Sequence, residues 1–111
     1  MEVETSEHGG VAILTVRGPM TGNQRKKIEE PWNAMVRSGA RRFVLELVQA
    51  PFIDSACLEW IREAAQESMD LGIESRVVLG GEISKDIFKA TRMRHWIHVC
   101  EDRESALRSL R

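Results

Sequence analysis

The sequence has no excess of either charge: 16 Lys and Arg stand against 17 Asp and Glu, a formal net of −1. Proteins that hold DNA or RNA by its phosphates need a basic face that releases counterions. The balance gives no case for nucleic-acid binding by the chain as a whole, although it leaves room for local patches. Cysteine is scarce. Cys57 and Cys100 are the only two, and neither belongs to a C-x-x-C pair. That excludes a disulfide framework and suits a reducing compartment. Apolar runs of membrane-spanning length are absent, and Met1-Glu2-Val3-Glu4-Thr5 is acidic, without the apolar core of a signal peptide. The expected location is the cytoplasm, with no membrane insertion. His8, His95 and His98 do not make a ligand set, because the two that lie three apart fall in a turn running into a strand. No metal and no cofactor are expected. Gly80-Gly81 stands between a strand and a helix, where phosphate loops occur, but neither G-x-G-x-x-G nor G-K-[ST] accompanies it.

What is present reads as one small α/β domain. A chain of 111 residues, 42% hydrophobic and 30% charged, has room for one core. Residues 2–7 read as a short strand ended by Gly9-Gly10, and Val11–Val16 as a strand covered on both faces. Residues 21–38 read as a helix with Ile28, Trp32, Met35 and Val36 inward and a kink or restart at Pro31. Phe43–Val48 is the next strand, and Ala50–Ile53 an extended link. A helix then starts at Asp54-Ser55, buries Leu58, Ile61, Ala65 and Met69, and closes at Leu71. Ser75–Leu79 is a strand. Ser84 can cap a helix over 85–92 with Ile87 and Phe88 inward. Trp96–Cys100 is a last strand, followed by a helix that packs Ala106, Leu107 and Leu110. Strands alternating with helices after a first hairpin predict a mixed, mostly parallel sheet of about five strands with about four helices.

Three features could carry chemistry. Cys57 falls in the first turn of a helix, where the dipole can lower a thiol pKa. No histidine is near it in sequence, so a buried structural cysteine is the plainer reading. Lys85, Lys89, Arg92 and Arg94 form a basic cluster beside Trp96, able to receive an acidic partner or to serve as a solvated face. Asp54-Ser55 puts a hydroxyl at a helix N-terminus just past the C-terminal end of a strand, the edge where ligands and partners bind in open α/β sheets. Either residue could equally be the helix cap.

The run Phe43-Val44-Leu45-Glu46-Leu47-Val48-Gln49-Ala50-Pro51-Phe52-Ile53-Asp54-Ser55-Ala56-Cys57-Leu58 resembles, without a gap, the strand, link and hydrophobic-Asp-Ser-Ser-Gly-Leu pattern of the STAS family, the domain of anti-sigma factor antagonists. Gly18-Pro19-Met20 is similar to that family's Gly-x-Leu turn, and Glu104–Leu107 to its closing helix. The sequence departs from the pattern at Ala56, where a second serine is usual, and at Cys57, where glycine is usual. It also departs at Glu46, longer than the family's strand residue, and at Thr21, where an aspartate is common.

The resemblance implies a single STAS-like domain that is not an enzyme and works by binding proteins. It implies that Ser55 is the phosphate acceptor, and that Asp54, Ala56, Cys57, Glu59, Arg62, Glu63, Thr21 and Asn23 make the partner surface. The implied partners are an anti-sigma factor or serine kinase of the histidine-kinase-like ATPase type, and a phosphoserine phosphatase that resets the switch. Two other readings compete. One is a constitutive scaffold in a stressosome-like or transporter-associated assembly, with Ser55 only a cap. The other is a small enzyme using Cys57 or Ser55, which lacks an identifiable base or oxyanion set.

Overall fold

The computed structural model describes residues 1–110. In chain order the elements are β1 Glu2–His8, β2 Val11–Arg17, a 3-10 turn Gly22–Gln24, α1 Arg25–Arg37, β3 Arg42–Val48, α2 Ser55–Asp70, β4 Glu74–Gly80, α3 Glu82–Ala90, a second 3-10 turn Met93–His95, β5 His98–Cys100 and α4 Arg103–Ser109. The strands form one five-stranded sheet in the order β1-β2-β3-β4-β5. β1 and β2 pair antiparallel, and the remaining pairs are parallel. This is the mixed, mostly parallel sheet expected. The hairpin closes on Gly9 and Gly10, with φ of +58° and +81°, the left-handed pair that a tight two-residue hairpin turn requires.

Two layers of helix enclose the sheet. On one face Leu14, Val16, Phe43, Leu45, Leu47, Val77 and Leu79 pack against side chains of α1, α2 and α3. Trp32 is central there: its ring meets Phe43 edge-on at 4.7 Å and Trp60 edge-on at 5.8 Å. On the other face Val11, Ile13, Val44, Val78 and Cys100 meet only Ala106 and Leu110 of the α4 segment, with Leu107 at the margin. Among the described residues no helix is long and apolar enough to cross a membrane.

Several boundaries and faces differ from the expectation. α1 is continuous through Pro31, with no restart. The carbonyl that Pro31 leaves without a donor belongs to Lys27, an exposed residue whose backbone water can serve, while buried Ile28 and Trp32 hold the helix on both sides. On α2 the buried stripe is Cys57, Trp60, Ile61, Ala64, Ala65 and Ser68. Met69 is 68% exposed and Leu58 only half-buried. The helix is thus turned by about one position, so that Trp60 can reach Trp32. α3 starts at Glu82 with Gly81 as its cap. Ser84 is therefore not the cap. It is buried in the first turn, donating to the Gly81 carbonyl at 3.0 Å. The last strand is only His98–Cys100, because Met93–His95 winds into a 3-10 turn and Trp96 continues from it.

The thinner face holds one buried ion pair. Thr15, Glu46 and Val78 lie side by side across β2, β3 and β4. Glu46, 8% exposed, takes both arms of Arg103 from α4, at 2.6 and 3.0 Å, and accepts from the Thr15 hydroxyl at 3.0 Å. The extra length of this glutamate is what lets it meet the arginine. Arg103 first, against the opposing effect of burial, holds the Glu46 carboxyl below the usual carboxylate range. Its stabilisation is therefore fully present above the unfolded value of about 4.3 and lost as pH falls through the lower folded value. Arg103→Ala leaves a buried carboxylate unpaired. Because Arg103 is itself 41% exposed and partly screened, the expected loss is about 2 kcal/mol at pH 7. Urea unfolding of variant and wild type should differ by that amount at pH 7, and the difference should shrink as pH falls below about 4.3.

Candidate functional site

The site lies at the C-terminal edge of the parallel strands, where the β2–α1 and β3–α2 connections run together. Met20 N–H donates to the Phe52 carbonyl at 2.7 Å, and Asp54 N–H donates to the Met20 carbonyl at 3.0 Å. The pair Met20 and Ile53 thereby continues the parallel pairing past the strands, with both side chains buried. Whatever follows Ile53 is held beside whatever follows Met20.

Asp54 follows Ile53 and caps α2. One carboxylate oxygen accepts from Cys57 N–H at 2.9 Å, and the other from Gly22 N–H at 2.5 Å. These donors, Cys57 first, hold its carboxyl below the usual range. Gly22 can come this close because it lacks a side chain: a Cβ there would lie 2.9 Å from that of Ala56.

With Asp54 as the cap, Ser55 is the first residue of the helix and is exposed. Its hydroxyl makes no hydrogen bond among the described residues. The alternative in which Ser55 caps the helix is thus removed. Cys57, one of the expected partner-surface residues, is instead wholly buried. It falls on the sheet-facing side of α2, so its bulk is directed inward. Burial first, then the Asp54 charge, pushes its thiol up to about 11. A thiol so placed is protonated at neutral pH and out of reach, which leaves a Cys57 nucleophile without support.

The outer face of α2 brings together Ser55, Glu59, Arg62 and Glu63, all exposed. Arg25 of α1 clamps one side of it. The guanidinium donates to Glu63 at 2.7 Å, to the Ala56 carbonyl at 3.4 Å, and to Glu29 one turn along its own helix. On the other side Arg62 lies over the Trp96 ring, 4.6 Å from its centroid. Between α2 and the α3–β5 connection runs a groove of ≈ 390 Å³, lined by Ser55, Leu58, Glu59, Arg62, Glu63, Thr91, Met93 and Trp96. Thr21 and Asn23, the remaining expected residues, sit on the adjacent turn with their side chains bonded at 2.6 Å, and join α2 through Gly22. Ala56 is half-buried beneath that turn. Sequence reasoning missed Arg25 and Trp96 as members. The i, i+4 spacing of Arg25 and Glu29 was a local signal, but nothing local joins Arg25 to Glu63. Phe52, 51% exposed beside Asp54, is a further apolar residue on this edge.

Removing the Asp54 carboxylate unties both the helix end and the Gly22 turn. Asp54→Ala should cost about 1–2 kcal/mol in chemical denaturation. It should also raise amide exchange at Gly22 and Cys57 ahead of the rest of the chain. A thiol titration with Ellman's reagent at pH 7 should leave Cys57 unmodified in the folded chain and modify it fully in urea.

Comparison with known proteins matches the model of the STAS domain to residues 2–106. No curated protein sequence matches the chain significantly. Among solved structures, an anti-sigma factor antagonist from Mycobacterium paratuberculosis superposes with a TM-score of 0.88 at 18% identity, over 97% of this chain and 92% of that one. A proposed anti-sigma factor antagonist from Thermotoga maritima gives 0.87 at 15% identity, over 96% and 92%. The Bacillus cell fate determinant SpoIIAA, solved in its phosphorylated form, gives 0.71 at 12% identity, over 99% and 100%. At such identities the structures speak for the fold alone. The family match covers nearly the whole described chain, and the protein belongs to the STAS domain family.

Proposed function

We propose that this domain is a non-catalytic, protein-binding regulatory module of the anti-sigma factor antagonist kind, acting in the cytoplasm and switched by phosphorylation of Ser55. The partner would be an anti-sigma factor that is also a serine kinase of the histidine-kinase-like ATPase type, with a phosphoserine phosphatase to reset the switch. The observation that carries this reading is the division of labour at the start of α2. Asp54 does the capping, so the exposed Ser55 hydroxyl is left for other chemistry. SpoIIAA, which shares the fold, has been seen phosphorylated, and that precedent supports the assignment.

Phosphorylation brings nearly two negative charges to the first residue of a sixteen-residue helix. The helix dipole favours a negative charge there by about 0.3–1 kcal/mol. The domain therefore stays folded, and the effect falls on the interface. Burying a phosphate against a partner surface arranged for a neutral serine, beside Asp54 and Glu59, costs a few kcal/mol. About 3 kcal/mol is roughly a hundredfold in affinity, enough to release a partner without moving the backbone.

Incubation with the candidate kinase and ATP, followed by mass spectrometry, should give one phosphopeptide containing Ser55, absent in Ser55→Ala. In a titration against the same kinase, Ser55→Asp should bind roughly a hundredfold more weakly than Ser55→Ala, with both variants unfolding at the wild-type midpoint within about 0.5 kcal/mol. Equal affinities with no phosphopeptide would favour a constitutive scaffold.

A further inference from the structure

Arg62 is the cation whose charge the site leaves unspent. Arg25, the other arginine near the start of α2, is committed to Glu29, Glu63 and the Ala56 carbonyl. Arg62 makes no ion pair among the described residues, and its guanidinium rests on the Trp96 indole instead. It lines the same groove as Ser55 and Trp96. Ser55 and Arg62 are seven positions apart on one helix. Seven positions make two turns less about 20°, so the two residues share a stripe, separated by ~10.5 Å along the axis. Side chains on a helix lean toward its N-terminus. The arginine therefore reaches toward Ser55 along the groove that both residues line.

A guanidinium stacked on a half-exposed indole is held weakly, whereas its bond to a doubly charged phosphate is charge-assisted on both sides. We infer that Arg62 is an intramolecular phosphate ligand: when Ser55 carries a phosphate, the Arg62 guanidinium leaves the Trp96 ring for it, uncovering the indole. This rests on Ser55 being the phosphate acceptor. It adds a second consequence to phosphorylation. The groove changes shape as well as charge, because an apolar ring now 40% exposed loses its cationic cover. The charged groups around the phosphate are Asp54, Glu59 and Glu63 of α2, which oppose it, and Arg25 of α1, which is already paired. The α3–β5 connection contributes Thr91, Met93 and Trp96 to the groove, none of them charged.

The test uses the full chain with phosphoserine installed at position 55 during translation, so that it does not depend on finding the kinase. Phosphorus NMR should place the second phosphate pKa in Arg62→Gln about half a unit or more above that of the wild-type background, the direction that loss of a nearby cation dictates. Arg62→Lys should recover part of the shift. Trp96 fluorescence, isolated by difference against Trp96→Phe, should change on phosphorylation in the wild-type background and stay constant in Arg62→Gln. Phosphate pKa values equal within 0.1 unit, or a Trp96 signal indifferent to the phosphate, would overturn the proposal. A separate incubation of the unmodified chain with kinase and ATP that yields no phosphate on Ser55 would count against the acceptor reading, and leaves the behaviour of the installed phosphate as measured.

Discussion

The candidate site of this domain hangs on one carboxylate. Asp54 accepts from Cys57 N–H with one oxygen and from Gly22 N–H with the other. The first bond ends α2 cleanly, and the second draws the turn after β2 against that end. Both donors are backbone groups that would otherwise be unpaired at the start of a helix and of a turn. Because Asp54 satisfies them, the neighbouring serine has no structural duty. Exchange the two roles and the hydroxyl would be tied to the backbone, unavailable to a kinase. The separation of cap from free hydroxyl is thus the condition for the proposed switch at this position.

The rest of the fold makes that edge stiff. Met20 and Ile53 carry the parallel pairing beyond β2 and β3, so the two connections move as one piece. Beneath them, α1 and α2 meet through Trp32 and Trp60. On the far side of the sheet, α4 is tied down by Arg103 on Glu46. A charge placed on Ser55 meets a helix end tied to the adjacent turn through Asp54 and Gly22. Its effect should fall on long surface side chains and on whatever docks there, which is the physical basis for the proposed switch, a change of affinity without a change of fold.

Much of this was legible in the chain and some was not. The β-branched and apolar runs Val11–Val16 and Phe43–Val48 announced strands buried on both faces, and alternation with helical segments announced parallel pairing. Asp54-Ser55 stood out because a polar pair interrupts an apolar link just before a helix. Sequence could not decide which of the two caps, since either side chain can do it and only the backbone angle at Asp54 settles the matter. The α2 face was misjudged at Met69 because Trp60, needed against Trp32, turns the helix. That demand comes from a residue twenty-eight positions away. Arg25 with Glu63 and Arg62 with Trp96 are likewise pairings between elements, set by packing and invisible to local spacing.

Three of the four departures from the family pattern, at Glu46, Ala56 and Cys57, lie away from the outward face, and the fourth, Thr21, sits on the surface turn bonded to Asn23. Cys57 replaces a glycine but turns its sulfur toward the sheet, wholly buried, so the added volume is spent in the core and not between the domain and a partner. Ala56 replaces a serine and sits under Gly22, whose own missing side chain makes room for it: a Cβ on Gly22 would lie 2.9 Å from that of Ala56. Ala56, Cys57 and Gly22 thus form one packing arrangement beneath the surface. Glu46 belongs to another, on the opposite side of the sheet, where its length is used to reach Arg103. What remains outward is Ser55 with Glu59, Arg62 and Glu63. The exposed serine is presented at the first turn of α2.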